Sequence, residues 1–524
     1  MKSRADSTSQ EIAAVGMNQT GIRGAHLFVF FTGTAVMATE MCASRFLAPW
    51  FGTSMIVWSV LIAVVLAAMS AGYWLGGRLS DRHPSWALLY WIPAAAGALI
   101  SLIPPLGGLL FPWLSAGIRA TPVNIIVLAL AGVLALFVPP VLLLAMVSPF
   151  MIRLLARADN TGRTAGSLYA VSTLGSIAGT LLSTLVTIPL LGTRETLFIV
   201  SGVLILLGSH GLGKKARAMP ALLLLPLAGW IAYGGAVRSD PTLVHQEESV
   251  YQYLQVYRRS NGSTILVVNE GGAMQSISRE GDSLRPASTY YESFLLLPYM
   301  TGSSEETRVL VIGSGAGTIP HWLAVHVRPD IPGLRTDAVE IDGRAVELGH
   351  RWFNTGRDDA RFIISDGRTY IENTSEMYDI IISDTYSNQI YIPFHLATRE
   401  YFTALRDHVE GAGVVAMNVN ALNEDSELLQ SIGATLCEVF PHVYIVHVSD
   451  DYNFMLIASD FPVHPPSPDS MAVWNPVLEE TARLFEPAFK PFDPEQGRIL
   501  TDNKAPLEFL TDMMILHEAA NQTR

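Results

Sequence analysis

Up to about residue 238 the chain is dominated by long apolar runs; beyond it the pattern breaks into short alternating or β-branched segments. An apolar run of roughly 18 residues or more, coiled as a helix, matches the hydrocarbon core of a bilayer, about 30 Å thick. Such runs lie near 26–48, 56–77, 86–112, 124–150, 166–192, 196–212 and 218–237, which predicts a transmembrane domain over 26–237 with six or seven spans. Prolines inside them, such as Pro139 and Pro140, suit membrane helices better than soluble ones, where an interior proline costs about 3 kcal/mol. Residues 1–25 form a polar N-terminal segment without the apolar core of a cleavable signal, so insertion falls to the first span.

Basic residues favour the cytoplasmic side of a membrane. Arg78, Arg82, Arg153, Arg157, Arg163, Lys214, Lys215 and Arg217 fall on one side of the predicted spans and only Arg119 and Arg194 on the other, which predicts a cytoplasmic N-terminus. Seven full spans would put the C-terminal half outside. Segment 218–237 carries Pro220, Pro226 and a Gly-Gly pair, which suits a re-entrant or interfacial stretch. The expectation is a multi-pass protein of the cell inner membrane with its C-terminal domain in the cytoplasm. Glu40 and Arg45 lie in or near the end of the first span, where charges either pair to fix helix packing or serve a ligand. The stretch GYWLGGRLSDR, 72–82, is similar to the Gly-rich Asp-Arg loop after the second helix of major-facilitator transporters, and reads equally as a tight basic turn.

Composition sharpens the division. Over 524 residues the chain is 50% hydrophobic and only 15% charged, yet the net charge of −13 falls mainly in the second half. An acidic soluble half argues against a nucleic-acid partner and suits a cationic substrate. The two cysteines, Cys42 and Cys437, read as isolated thiols and exclude a cysteine zinc site. His321, His350 and His395 show no metal-ligand pairing at helical spacing.

From residue 240 to 300 the segments YQYLQVYRR and STILVVNEGGAMQSIS predict a small antiparallel β-unit with a turn at Gly271–Gly272. RVLVIGSGAGTIPHWLAVHV, 308–327, then runs an apolar strand into a glycine-rich turn and an amphipathic helix. Gly313, Gly315 and Gly317 permit a tight turn and close approach to a ligand. A second strand, DAVEID, ends at Glu340 and Asp342, at the distance downstream where an acid can accept hydrogen bonds from ribose hydroxyls. RFIISDGRTYI places Asp366 and Gly367 after a third strand, where the acid could meet an adenine amino group. YDIIISDTYS ends a fourth with Asp384. Helix capping is the plain alternative for any one of these acids. Four in succession predict a ligand edge on an α/β Rossmann-like, class I methyltransferase-like domain over 301–524.

These motifs resemble the polyamine aminopropyltransferases, the spermidine synthase family, and specifically its membrane-fused members. The resemblance rests on EESVYQYLQV with Gln252, the Gly-Gly turn followed by Gln275, TYYESFLLLP with Tyr290 and Glu292, the glycine loop, VEID, SDG, YDIIISD and HLATREYF. RFLAPWFGTSMIVWSV and GSLYAVSTLGSIAGT in the membrane half, and LTDNKAPLEFL near the end, extend it over nearly the whole chain. It implies that Glu340 binds the ribose, Asp366 the adenine, and the loop from Gly313 to Gly317 the methionine-derived part of S-adenosylmethionine or its decarboxylated form. Gln252, Gln275 and Gly367 join that binding set. Asp384 would face the reacting amine, with Tyr290 beside it. An amine would attack the carbon next to the sulfonium and release methylthioadenosine; sulfur is already cationic, so no metal is needed.

Three positions depart from the family pattern. Ala316 stands where the loop carries an acid that grips the ammonium of the decarboxylated nucleoside, Ser387 where a second acid follows the fourth strand, and Tyr291 where a histidine adjoins the tyrosine. Loss of these acids favours intact S-adenosylmethionine, cleaved in a lyase reaction or by transfer to another amine. A true polyamine aminopropyltransferase, a methyltransferase, and a transporter or sensor with a nucleoside-binding domain are the competing classes. Self-association into a homo-oligomer is compatible with the sequence, and Asp502 and Glu508 of LTDNKAPLEFL receive no role.

Overall fold

The computed structural model describes residues 19–51, 55–116, 130–156, 160–212, 219–233, 240–269, 274–285, 289–301, 306–387, 390–447, 452–494 and 496–522. They form two compact units, the apolar helices up to residue 233 and an α/β region from residue 240.

Among the described residues of the first unit five helices are long and apolar enough to cross a membrane: Arg23–Ala48, Val57–Arg82, Trp86–Phe111, Val138–Leu155 and Thr161–Leu191. Part of the predicted span 124–150 lies outside the described residues; the described helix continues past it to Leu155, with Arg153 in its last turn. The run predicted at 196–212 is a helix that begins earlier, at Thr193, with Arg194 and Glu195 in its first turn. Segment 218–237 contains a 3-10 turn, Met219–Leu223, and a ten-residue helix, Leu224–Tyr233. At 1.5 Å per residue a ten-residue helix is about 15 Å long, half of what a span needs. The sequence reading of 72–82 as a loop or turn is corrected: the helix runs unbroken through it to Arg82. Gly72 and Gly76 keep its flank narrow and leave no room for a Cβ against the backbone of Leu142 and Met146. Small residues draw the first helix to the fifth in the same way, with Thr34 Oγ1 donating to the Gly175 carbonyl across 3.0 Å.

The second unit is built from two sheets. Strands β1 (Leu243–Glu248), β2 (Tyr253–Arg258), β3 (Thr264–Val268) and β4 (Met274–Ser278) form the antiparallel β-unit in sequential order. The predicted Gly271–Gly272 turn lies outside the described residues. The larger sheet comprises β5 (Thr307–Ile312), β6 (Leu334–Glu340), β7 (Arg361–Ile364), β8 (Tyr378–Ser383), β9 (Val409–Asn420), β10 (His442–Val446), β11 (Asn453–Ser459) and the short β12 (Lys490–Pro491). Its order is β7-β6-β5-β8-β9-β11-β10-β12.

β5 through β9 are parallel, and β10 and β11 close the sheet as an antiparallel hairpin with β11 inserted beside β9. This is the class I methyltransferase-like arrangement. Near-continuous β-branched runs such as VLVI and DIIIS suit strands covered on both faces. One face packs on Tyr401, Phe402 and Leu436, the other on Phe294, Trp322 and Phe485. The chain moves from β5 outward to β6 and β7, then crosses back to β8 on the other side. The C-terminal ends of β5 and β8 therefore flank a topological switch point, where open sheets hold their ligands.

Candidate functional site

The glycine loop emerges from β5 at that switch point. Gly313, Gly315 and Gly317 have φ of 85°, 55° and 88°, the left-handed region that only glycine enters freely. A Cβ at Gly313 would run into the Asp384 carbonyl, so the loop and the acid after β8 can lie side by side only with glycine here. The Gly313 and Ser314 amides donate to the Val339 carbonyl at 2.9 and 3.2 Å, turning the loop over the end of β6. The β-unit closes on it from outside. Ala316 N donates to Ser276 Oγ at 2.9 Å, and Thr318 Oγ1 both accepts from Ile277 N at 2.8 Å and sits 3.0 Å from the Ile277 carbonyl. Gln275 reaches the same place: its carbonyl lies against Gly315.

Glu340, the last residue of β6, turns back under this loop. One carboxylate oxygen accepts from the Gly315 amide at 2.7 Å and the other from the Asp342 amide at 3.0 Å. Burial pushes its pKa up to about 7 against the pull of those amides, and the neighbouring Asp342 charge adds to the rise. Asp342 has a different role. It caps helix Gly343–Trp352 through the Arg344 amide, accepts Ser249 Oγ at 2.6 Å, and takes a side-chain hydrogen bond from Gln252. Gln252 thus ties the β-unit to the end of β6.

Asp366, just beyond β7, caps helix Gly367–Asn373 by accepting from the Thr369 amide at 2.9 Å, and its other oxygen lies 3.3 Å from His395 Nε2. Partial burial raises its pKa, but the Thr369 amide and His395 outweigh that and hold it below the usual carboxylate range. Gly367 is required because a Cβ there would meet the side chain of Ile312. Large apolar side chains stand exposed along the same edge: Ile341, Ile364 and Phe394 are 38%, 56% and 47% accessible. The sequence reading missed them. Their signal was position, each lying within one residue of a strand end or of a motif histidine; exposed apolar surface of this kind marks a place for a ligand.

Asp384 follows β8, with its amide bonded to the Ile312 carbonyl at 2.9 Å. Tyr290 OH donates to one carboxylate oxygen at 2.9 Å and Asn418 Nδ2 to the other at 2.9 Å. Burial drives the Asp384 pKa up to about 6 even though both donors favour the charged form. Tyr290 itself is pushed well up by burial and by the Asp384 charge, so it remains a donor at neutral pH. The Asn418 carboxamide oxygen is buried and has no hydrogen-bond partner among the described residues. Sequence reasoning missed Asn418, whose signal was a polar residue between the apolar run VVAM and Val419 in β9. The segment presenting Tyr290 is pinned by the buried Arg279–Glu292 ion pair at 2.7 Å, with Thr289 Oγ1 also donating to Glu292.

The three departures are placed as follows. Ala316 is buried in an apolar cluster with Leu254, Val256 and Phe353. Ser387 is exposed and donates to the Tyr391 carbonyl at 3.2 Å. Tyr291 is buried, its ring tilted by 35° against that of Tyr290 with centroids 4.2 Å apart. Of the histidines, His395 joins the site through Asp366, His321 sits between Asp282 and Asp359, and His350 bonds the Thr355 carbonyl.

The edge from β7 to β9 thus presents one acid held near neutrality under a glycine loop, one kept ionised, and one raised acid clamped by a tyrosine and an asparagine. Residues 288–451 match the spermine/spermidine synthase domain. A protein of Bifidobacterium longum described as a probable polyamine aminopropyl transferase is 28% identical over 306 residues, covering 53% of this chain and 66% of its own length. The polyamine aminopropyltransferase of Vibrio vulnificus is 25% identical over 290 residues, covering 51% of this chain and 91% of its own. Among solved structures, a probable spermidine synthase from Corynebacterium glutamicum aligns at 18% identity with a TM-score of 0.40, over 51% of this chain and 97% of that one. The C-terminal half of the chain thus carries a spermine/spermidine synthase domain and is similar to the polyamine aminopropyltransferases.

Proposed function

We propose that the soluble half binds an S-adenosylmethionine-type nucleoside along the C-terminal edge of β5 to β8 and cleaves its carbon–sulfur bond. The observation that carries this reading is the clamp of Tyr290 and Asn418 on Asp384 beside Gly313. Glu340 accepts the ribose hydroxyls, Asp366 faces the adenine amino group, and the glycine loop follows the methionine-derived chain. An amine nitrogen attacks the methylene carbon next to sulfur; the carbon–nitrogen bond forms as the carbon–sulfur bond breaks, and sulfur keeps the electron pair in neutral methylthioadenosine. The proton shed by nitrogen passes to Asp384, whose pKa near 6 lets it accept and then release a proton close to neutrality. The buried Asn418 oxygen offers an acceptor to a second N–H of the same amine.

Intact S-adenosylmethionine is the favoured nucleoside. An acid facing the ligand would repel its α-carboxylate by about 1–4 kcal/mol at contact distance. Neither Ala316 nor Ser387 carries that charge, and neither replaces the grip on an ammonium. With this nucleoside the bond can break by transfer to an external amine or by attack of its own carboxylate oxygen, giving a lactone. The purified full-length protein is to be incubated with intact and with decarboxylated S-adenosylmethionine, each with and without a polyamine, and methylthioadenosine measured. Methylthioadenosine from the intact form supports the reading. Release only from the decarboxylated form with a polyamine present would establish a true aminopropyltransferase, S-adenosylhomocysteine a methyltransferase, and tight binding without product a sensor or transporter. The basic residues flanking the spans support a cytoplasmic catalytic domain; a C-terminal reporter fusion active only outside the inner membrane would refute that placement.

A further inference from the structure

The motif LTDNKAPLEFL, left without a role by its sequence, closes a polar brace behind the adenine end of the site. Asp502 pairs with Arg368 through both oxygens, to Nη1 and Nη2 at 2.7 Å each. The same carboxylate accepts Thr398 Oγ1 at 2.7 Å. Arg368 lies two residues after Asp366, on the helix that Asp366 caps, and its Nη1 also donates to the His395 carbonyl at 3.0 Å. The backbone joins in: Arg399 N donates to the Leu500 carbonyl at 2.8 Å, and Asp502 N to Glu400 at 3.1 Å. Three motifs far apart in sequence, SDGR, HLATRE and LTDN, therefore meet at one guanidinium.

We infer that Asp502 is a positioning residue for nucleoside binding, acting through Arg368 to hold the His395 loop against Asp366. The inference rests on the reading that Asp366 faces the adenine. Its physical basis is geometric. A planar guanidinium bound at both ends to a carboxylate has one orientation, and Arg368 in that orientation holds the His395 carbonyl, which fixes where the imidazole meets Asp366. Asp502 touches no reacting atom; its effect belongs in nucleoside affinity and not in the chemical step.

The test uses full-length protein in detergent, methylthioadenosine as the binding probe, and steady-state kinetics with the productive nucleoside. Asp502→Asn and Arg368→Lys each remove the two-point pairing while keeping size or charge. Both are expected to raise the Kd for methylthioadenosine and the nucleoside KM by about tenfold, with kcat changed by less than about twofold. The double variant is expected to lose no more than either single one, because both break the same contact. Asp502→Glu, which keeps the charge, is expected to recover part of the affinity. Wild-type Kd and KM in Asp502→Asn would overturn the inference, as would a lowered Tm with both constants unchanged, which marks a purely structural brace. Failure of the wild-type protein to bind methylthioadenosine would overturn the nucleoside reading itself, and the inference with it.

Discussion

Nucleoside affinity is expected to rise with pH through the titration of Glu340. In the unliganded protein this carboxyl is raised to about 7 by burial beneath the glycine loop, although the Gly315 and Asp342 amides favour its charged form. Ribose hydroxyls are donors, so they prefer the carboxylate. With a pKa near 7, about a tenth of the protein carries the charge at about pH 6 and about nine tenths at about pH 8, so methylthioadenosine should bind about tenfold more tightly at the higher pH, close to 1.4 kcal/mol. The stability of the unliganded protein moves the other way. A carboxyl with a raised pKa favours the folded state while protonated; that contribution is present below the unfolded value and lost as pH climbs towards 7, about 3 kcal/mol in all. The assay is calorimetric titration of methylthioadenosine across this range in two buffers of different ionisation enthalpy, which also counts the proton released on binding. Glu340→Gln should remove the dependence and hold affinity at or below its value in acid. Flat wild-type affinity from about pH 6 to about pH 8, with no proton released, would refute the assignment of Glu340 to the ribose.

The amine end of the site gives a separate pH signature. Turnover should fall on the acid side as Asp384 protonates near 6, and Tyr290→Phe should shift that limb to higher pH because Tyr290 OH stabilises the carboxylate; kcat profiles of both proteins decide it. Asp384→Asn should lower kcat about 10²–10⁴-fold while slightly raising Tm, since the buried charge no longer opposes folding above its ordinary pKa. Gly313→Ala should cost about 1–3 kcal/mol from backbone strain alone, and more from contact with the Asp384 carbonyl, seen as loss of both Tm and activity. Glu292→Ala should cost about 3–5 kcal/mol by leaving Arg279 charged and buried without its carboxylate, measurable by thermal unfolding.

Much of this organisation was legible along the chain because it depends on local pattern. Apolar runs of membrane-spanning length, strands of period two, and glycines at the strand-to-helix turn are imposed by hydrogen bonding and sterics acting over a few residues. That is why the membrane half, the β-unit, the glycine loop and the acids closing β6, β7 and β8 could be named from the sequence, together with the family they resemble. What the chain could not display was contact between distant segments. Asn418 lies 34 positions beyond Asp384 and reaches it only because β9 pairs beside β8. Gln252 was read beside a ligand, and the fold also ties it, together with Ser249, to Asp342, since the β-unit docks on the end of β6. Asp366 is at once a helix cap and a partner of His395. Asp502 was a bare acid in an unassigned motif until tertiary packing placed it against Arg368, 134 positions earlier. Sequence by itself thus determined which elements form and which polar residues end them. Only the tertiary structure decided which of those residues touch, because partners are chosen by strand order and loop closure, not by distance along the chain.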